Sequence, residues 1–201
     1  EIENIVTTKD ELYKAISETA TKVDPATKEV MFYREALYTG FNEIKKHDFI
    51  SINDIINIQK VLVQNNAGIR SLPGTKLVND KTKKIVYIPP QTKEEIDYFL
   101  KNFTEYLNND NDSLAKLAIL HYQFESIHPF IDGNGRTGRL LINLELMKAG
   151  YPPIDIKFKD RLEYYEAFND FRTKNNVSKM SNMLAKYLNQ RLDLYLSILD
   201  N

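Results

Sequence analysis

The stretch SIHPFIDGNGRTGRLL, residues 126–141, places a histidine, an acid, two arginines and several glycines immediately ahead of a run of leucines. Pro129 prevents a plain continuation of the helix that is expected before it. The apolar positions from Leu140 onward predict a buried helical face, so a new helix should begin near Asn134. A packed core needs none of the polar groups between the two helices. This loop is therefore the candidate functional site.

The loop has the composition of an anion-binding site. The main-chain N–H groups of Gly133, Asn134 and Gly135 can all point to one side. Unpaired N–H groups and the dipole at a helix N-terminus both favour a negative charge. Arg136 and Arg139 are three residues apart and share a face of the same helix. Two arginines near a helix start oppose the dipole unless an anion offsets them, which indicates a polyphosphate held by guanidinium groups.

Two further side chains complete a constellation for phosphoryl or nucleotidyl transfer. Asp132 would repel a bound phosphate unless a divalent cation, usually Mg²⁺, lay between them. His128 can take up a proton near neutral pH and so act as a general base. Taken singly, a GNG turn, a lone histidine and paired surface arginines are ordinary features. Their joint occurrence within the twelve residues 128–139 favours chemistry.

Composition excludes several classes of function. The chain has 201 residues, of which 42% are hydrophobic, enough for a substantial core. Its 27 basic and 28 acidic residues give a net charge of -1, which argues against nucleic-acid binding or a membrane anchor through this domain. The absence of cysteine excludes disulfides and favours a cytoplasmic location. Because the first residue is Glu1 and not methionine, we expect a fragment of a longer protein.

Helical patterns dominate the rest of the chain and predict an all-α fold. Residues suited to cap helix N-termini mark five helix starts: Thr8, Asp24, Ser51, Thr92 and Ser113. An apolar stripe predicts that the first helix continues to about Val23, and two further helices are expected at about 160–175 and 178–199. No repeat or linker interrupts the pattern, so we expect a single domain over residues 1–201.

One segment does not follow the helical pattern. In GTKLVNDKTKKIVYIPP, residues 74–90, two short β-prone arms flank the turn-forming residues 79–82, and two prolines stop the second arm. This arrangement predicts a β-hairpin, with a simple connecting loop as the alternative. Two strands alone are marginal in water, so the hairpin should lean on the helices or await a partner strand.

The motif HPFIDGNGRTGR, residues 128–139, resembles the signature of the Fic family, HPFx(D/E)GNGRxxR, at every specified position. The resemblance extends to the hairpin segment, to the helix before the motif and to the tyrosine-bearing segment 161–172, and covers most of residues 30–200. It implies a Fic-type helical bundle in which residues 74–90 form a flap and residues 128–139 the catalytic loop. It also implies an adenylyltransferase that moves AMP from ATP to a Ser, Thr or Tyr hydroxyl of a target protein.

The resemblance assigns roles to individual residues. His128 would be the general base, Asp132 would hold Mg²⁺ against the α- and β-phosphates, and Arg139 would grip the γ-phosphate. The nucleotide-binding set as a whole would be Gly133, Asn134, Gly135, Arg136, Thr137, Gly138, Arg139, Tyr164 and Tyr165. The flap residues that align the target by strand addition would be Lys76, Leu77, Val78 and Asn79.

A further match lies at the start of the chain. The segment EIENI, residues 1–5, resembles part of the family's inhibitory motif, (S/T)xxxE(G/N), through Glu3 and Asn4. The resemblance implies that residues 1–24 form an inhibitory segment and first helix. Glu3 would pair with Arg139 and block productive placement of the γ-phosphate.

Several functions stay open at the level of sequence. The same scaffold supports removal of AMP and the transfer of UMP or phosphocholine, and a non-catalytic interaction or regulatory module is the alternative of another class. A kinase-like branch carries lysine where this chain has Gly135, which argues against that activity. The partners expected are ATP with Mg²⁺ and a target protein, with a homodimer left open.

Overall fold

The structure is a computed structural model that describes residue 5 and residues 7–17, 22–79, 82–109 and 113–200. The helices in these ranges are α1 Lys9–Ile16, α2 Pro25–His47, α3 Ile52–Val63, α4 Lys93–Leu107, α5 Leu114–Ile127, α6 Asn134–Lys148, α7 Arg161–Lys174 and α8 Ser178–Leu199. Two strands, β1 Leu77–Val78 and β2 Ile85–Tyr87, form an antiparallel hairpin, and a short 3₁₀ helix, Phe158–Asp160, precedes α7. The predicted all-α fold with a small β-hairpin is confirmed.

Side-chain caps begin the first five helices where the sequence predicts them. Each of the five side chains accepts a hydrogen bond from a main-chain N–H of the following turn, and three of the five form complete capping boxes. The predicted end of the first helix is wrong. The helix ends at Ile16, where the Ser17 hydroxyl donates to the carbonyl of Tyr13 at 2.9 Å, and Val23 lies outside any helix. A serine that satisfies a carbonyl of the last turn competes with helix continuation.

Helix α6, which carries the motif, lies at the centre of the bundle. It packs against α2, α3 and α5, and α5 in turn contacts α4 and α8. Leu140 and Leu144 of α6 are fully buried. A Cβ added at Gly40 of α2 would lie 2.5 Å from the Cδ1 atom of Leu144, so the glycine allows α2 and α6 to approach closely. Close packing on three sides fixes the position of the α6 N-terminus.

The hairpin predicted at residues 74–90 is tied to the helical body at two places. Leu77 pairs with Tyr87 across the two strands, and the partly buried Tyr87 side chain lies near Tyr122 and Ser126 of α5. At the base of the hairpin, the side-chain oxygen of Gln91 accepts from the N–H of Gly74 at 2.7 Å. The hairpin therefore leans on the helices, as expected for a pair of strands that is marginal alone.

None of the helices in the described ranges is long and apolar enough to cross a membrane.

Candidate active site

His128 lies at the junction of α5 and the motif loop. It caps the C-terminus of α5 in the left-handed conformation, with φ 48° and ψ 58°, and its N–H donates to the carbonyl of Phe124 at 2.9 Å. This conformation costs a residue other than glycine about 1–2 kcal/mol, so the surrounding structure must hold it. The following Pro129 disfavours a helical alternative. The backbone thus turns sharply and sets the histidine ring at the edge of a pocket formed by the loop.

Arg70 braces the end of α5 and was not predicted as a site residue. Its side chain is buried, with Nε donating to the carbonyl of His128 at 2.7 Å and a terminal nitrogen donating to the carbonyl of Pro90. Its main-chain N–H donates to the carbonyl of Pro129 at 2.9 Å. The last carbonyls of a helix lack intrahelical donors and carry the negative end of the dipole, which suits a cation. Arg70 therefore links the histidine to the base of the hairpin.

The environment of His128 keeps the imidazole neutral. Burial lowers the pKa of His128, the main-chain carbonyl of Glu125 acts in the opposite direction, and the positive charge of Arg70 lowers it further. The Nδ1 atom is buried, which leaves Nε2 as the ring nitrogen that can face the pocket. A neutral imidazole with one nitrogen turned towards a ligand site can accept a proton from that ligand.

The loop after His128 is closed by side chain to main chain hydrogen bonds. Asn134 accepts from the N–H of Phe130 at 2.9 Å and donates to its carbonyl at 2.8 Å. Gly133 is the N-cap of α6 with φ 82°, and a Cβ there would lie 2.5 Å from Cγ1 of Val63. Glycine is therefore required for both conformation and space. The first N–H groups of a helix have no intrahelical acceptor, and no side chain caps those of α6.

Asp132 and Arg136 meet at the mouth of the pocket. The Asp132 carboxylate accepts from the N–H of Gly133 at 2.7 Å and lies 3.2 Å from a terminal nitrogen of Arg136. The other terminal nitrogen of Arg136 lies 3.0 Å from Glu29 of α2. The protein itself thus offsets the charge of Arg136 with two carboxylates, where the sequence alone suggested a bound anion. Gln59 of α3 supports the loop by donating to the carbonyl of Asp132 at 3.0 Å.

A pocket of about 380 Å³ brings most of the predicted loop residues together. Its lining consists of Ile5, Glu29, His128, Ile131, Asp132, Gly133, Asn134, Gly135 and Arg136. Five residues predicted to bind nucleotide do not line this pocket: Tyr164, Tyr165 and three residues of α6. Thr137 and Gly138 are buried on the inner side of α6, and Arg139 lines a separate cavity of about 610 Å³ together with Tyr33.

The two predicted tyrosines differ in their placement. Tyr164 is buried and its hydroxyl contacts both Arg139, at 3.3 Å, and Nε2 of His121. Burial raises the pKa of Tyr164 well above its ordinary value, so it remains a neutral phenol. Tyr165 is 58% exposed. Tyr164 therefore belongs to the packed layer beneath the loop, and only Tyr165 presents most of its ring to solvent.

The other predicted site residues lie away from the loop. Residues 76–79 form the first arm of the hairpin, in which the Val78 side chain is 47% exposed and the N–H of Asn79 donates to the carbonyl of Lys84 at 2.9 Å. Glu3, predicted to pair with Arg139, lies outside the described residues.

A buried polar layer lies beneath the motif and was not predicted. A Cβ added at Gly138 would lie 3.0 Å from Nδ1 of His121 and 3.3 Å from Oε1 of Glu125, so the glycine makes room for both. Burial lowers the pKa of His121 to about 3 and raises that of Glu125 to about 7. The second Glu125 oxygen is 4.0 Å from Nδ1 of His128. The signal in the sequence was the spacing of His121, Glu125 and His128, which are four and three residues apart and so lie on one face of the otherwise apolar α5 and its C-cap.

The pocket gathers a histidine that can accept a proton, a free helix N-terminus, a carboxylate and a guanidinium group. Such a set is typical of enzymes that transfer phosphoryl or nucleotidyl groups. A sequence model of the Fic/DOC family matches residues 49–146, and a model of the N-terminal region of the Fic/DOC family matches residues 1–42. The chain belongs to the Fic/DOC family, as its motif suggested.

Relatives with assigned activities resemble most of this chain. It is 33% identical over 174 residues to Protein adenylyltransferase Fic of Nematostella vectensis, which covers 84% of this chain and 40% of the relative. It is also 33% identical over 129 residues to Protein adenylyltransferase fic-1 of Caenorhabditis elegans, covering 62% of this chain and 25% of the relative. The chain thus spans less than half the length of these curated relatives.

Solved structures share the fold. A Fic domain containing signaling protein from Bacteroides thetaiotaomicron superposes with a TM-score of 0.82 at 21% identity, covering 96% of this chain and 81% of that chain. A fragment of Fic-1 from C. elegans superposes with a TM-score of 0.77 at 25% identity, covering 99% of this chain and 60% of that chain. These likenesses confirm the predicted Fic-type bundle.

Proposed function

We propose that this chain is a protein adenylyltransferase domain that transfers AMP from ATP to a Ser, Thr or Tyr hydroxyl of a target protein. The observation that carries the proposal is the convergence of His128, Asp132, Arg136 and the α6 N-terminus on one pocket. The relatives named protein adenylyltransferases support the type of reaction. In this proposal residues 1–201 form one Fic domain, with residues 128–139 as its catalytic loop and residues 74–90 as its flap.

The α6 N-terminus is the proposed phosphate cradle. Its first N–H groups lack intrahelical acceptors and lie in the same pocket as the Arg136 side chain. A triphosphate in this pocket would compete with Glu29 for Arg136, because both offer oxygen acceptors to one guanidinium group. Arg139 would meet the end of the phosphate chain beside Tyr164, and Tyr165 would offer an exposed ring on the nucleoside side.

Asp132 fits the role of a magnesium ligand. Its carboxylate is 66% exposed and lines the pocket, and Mg²⁺ typically takes one or two carboxylates with phosphate oxygens and water. No cluster of three or more potential metal ligands occurs in the described ranges, so substrate phosphates and water would have to supply the rest of the coordination. A bound ion would neutralise phosphate charge in the reaction.

His128 is the proposed general base. Its Nε2 atom accepts the proton of the target hydroxyl while the hydroxyl oxygen attacks the α-phosphorus of ATP. A bond forms between that oxygen and the α-phosphorus, and the bond from the α-phosphorus to the oxygen bridging the β-phosphate breaks. Pyrophosphate leaves and AMP remains on the target. The lowered pKa of His128 keeps the imidazole neutral and ready to accept this proton at neutral pH.

The hairpin is the proposed docking site for the target segment. Among the described residues, β1 pairs with β2 along one edge, and an added strand would pair with the main-chain groups of its other edge. Strand addition supplies main-chain hydrogen bonds with little demand on the sequence of the target. The docking residues would be Lys76, Leu77, Val78 and Asn79.

Glu3 is the proposed internal restraint. Ile5, two residues further along the sequence, lines the pocket with His128. A tethered carboxylate competes with a phosphate at high effective concentration. Changing Glu3→Gly should therefore raise AMP transfer, with a smaller change in ATP affinity. Unchanged transfer would contradict this restraint.

Isotopically labelled ATP tests the proposed reaction. The protein is incubated with Mg²⁺, a cell lysate and ATP labelled on either the α- or the γ-phosphate. We expect label on protein from the α-phosphate only, lost in His128→Ala, whose ATP affinity by calorimetry should stay within about three-fold because the base acts on the target hydroxyl. His47→Ala is the matched control, since His47 is exposed on α2. Label from the γ-phosphate would indicate a kinase, and full transfer by His128→Ala would refute the mechanism.

A further inference from the structure

The Glu125 side chain faces the buried side of the His128 ring. Its Oε2 atom is 4.0 Å from Nδ1 of His128, and the two side chains are 19% and 20% exposed. Glu125 lies in the last turn of α5 and His128 is the C-cap of the same helix, so the backbone geometry of the helix end sets the separation of the two side chains. In the described part of the chain, neither Nδ1 of His128 nor Oε1 of Glu125 makes a hydrogen bond of ordinary geometry, and the main-chain carbonyl of Glu125 also lies near the His128 ring and raises its pKa. The separation is slightly longer than a hydrogen bond, as catalytic pairs often are before substrate binds.

The other charged groups near the ring do not duplicate this contact. Arg70 meets the main-chain carbonyl of His128, whereas Asp132 and Arg136 line the pocket side. Glu29 forms an ion pair with Arg136. Among the described residues, Glu125 is the carboxylate that lies within 4.0 Å of the ring.

A purely structural role explains Glu125 poorly. The groups against it in the layer under Gly138 are neutral, because burial keeps His121 uncharged and Tyr164 is a phenol. A buried carboxylate without a cation is unfavourable for folding, and an apolar side chain would suit the apolar face of α5 better. The position of Glu125 becomes useful when a positive charge forms beside it, which happens when His128 takes up a proton.

We propose that Glu125 is a positioning residue for His128, orienting the ring with Nε2 towards the target hydroxyl and stabilising the imidazolium that forms when that hydroxyl loses its proton. This inference rests on the proposed function. As the hydroxyl proton moves to Nε2, the positive charge spreads to the N–H at Nδ1, which faces the Glu125 carboxylate. In catalytic triads the acid likewise orients the histidine and stabilises the imidazolium. The proton then leaves to solvent after pyrophosphate departs.

Nuclear magnetic resonance of the histidine rings tests the pairing without any activity. The chain has three histidines, so His128 can be followed beside exposed His47 and buried His121. We expect the His128 ring signals to show a step near pH 7, where Glu125 ionises, and a second step at lower pH. In Glu125→Gln the step near pH 7 should disappear. A His128 titration that is unchanged in Glu125→Gln would overturn the proposal.

Steady-state kinetics test the consequence for catalysis. At pH 8 we expect Glu125→Gln to lower kcat for AMP transfer by about ten- to one-hundred-fold, less than the loss of the whole base, with KM for ATP within about two-fold. Glu125→Asp should restore part of kcat because it restores the charge. Glu105→Gln, on the exposed face of α4, removes an equal charge elsewhere and should leave kcat unchanged.

The two measurements separate the inference from the function on which it rests. If the parent protein transfers no AMP, the proposed reaction is refuted. If the step near pH 7 is nevertheless present in the parent and absent in Glu125→Gln, the pairing of Glu125 with His128 still holds. Active AMP transfer with an unchanged kcat in Glu125→Gln would refute the positioning role. Thermal unfolding of each variant shows that it is folded, so a lost activity cannot be assigned to misfolding.

Discussion

Replacing Glu125 by glutamine should stabilise the protein above neutral pH. Burial raises the pKa of Glu125 from 4.5 to about 7, because the ionised carboxylate is poorly solvated in the folded state. The unfolded chain therefore loses this proton near pH 4.5 and the folded protein only near pH 7. The folded state binds more protons in that interval, so the free energy of unfolding falls as the pH rises through it. Glutamine is neutral at every pH and removes this decline.

The expected gain in the free energy of unfolding follows from the difference between the pKa values of Glu125 in the unfolded and folded states. At about 1.4 kcal/mol for each pH unit, the range from 4.5 to 7 corresponds to about 3 kcal/mol. Because 19% of the side chain is exposed, water lowers this figure, and we expect about 2 kcal/mol at pH 8. In a chain of this length that corresponds to a rise in Tm of roughly 4–8 °C. Below pH 4.5 the carboxyl is neutral in both states, so the two proteins should unfold with similar free energies.

Urea unfolding of the parent and of Glu125→Gln at pH 8 and pH 4.5 measures this difference. His121, whose pKa is lowered to about 3, makes both proteins lose stability as the pH falls below 6.5, so the difference between them isolates Glu125. Glu105→Gln controls for the change in net charge. A glutamine variant that is less stable than the parent at pH 8, or more stable by the same amount at both pH values, would refute the reasoning.

Three further changes probe the supports of the site. Arg70→Met should lower the free energy of unfolding by about 3 kcal/mol in urea titrations, because it leaves buried carbonyls without a donor; an unchanged midpoint would contradict the bracing role. Gly138→Ala should lower kcat by roughly ten-fold with little change in ATP affinity by calorimetry, since its Cβ would lie 3.0 Å from His121. A fully active Gly138→Ala would show that His121 and Glu125 can move to admit the added methyl group, and would contradict this prediction. Val78→Pro should reduce modification of a protein target far more than Val78→Ala, because proline removes a main-chain N–H; equal losses would rule out docking through the backbone.

Local signals in the sequence were sufficient for the fold and for the motif loop. The five caps could be predicted because Ser, Thr and Asp side chains meet an N–H group three residues ahead, an interaction that needs no tertiary contact. The break at Pro129 and the start of α6 at Asn134 likewise depend on the backbone preferences of adjacent residues. His128 and residues 131–136 share the pocket because the loop is short.

The supports of the site could not be predicted in the same way, because they come from distant parts of the chain. Glu29, Gln59 and Arg70 reach the loop from α2, from α3 and from the segment before the hairpin. Their partners are main-chain carbonyls and a guanidinium group whose positions are set only by the packing of α6 in the core. The difference between Tyr164 and Tyr165 has the same origin, since their order along α7 does not say which ring turns inward.

The groups that act in the proposed reaction are also unfavourable for folding. His128 holds a left-handed backbone conformation, Glu125 keeps a carboxyl in a poorly solvated layer, and the α6 N-terminus leaves its N–H groups without a side-chain cap. Each arrangement raises the free energy of the folded state by about 1–3 kcal/mol. In the proposed reaction two of these arrangements gain the partner they lack, an imidazolium for the carboxylate and phosphate oxygens for the helix, and the turn at His128 sets the ring at the edge of the pocket. The apolar face of α6, with Leu140 and Leu144 fully buried, contributes hydrophobic stabilisation that offsets these costs.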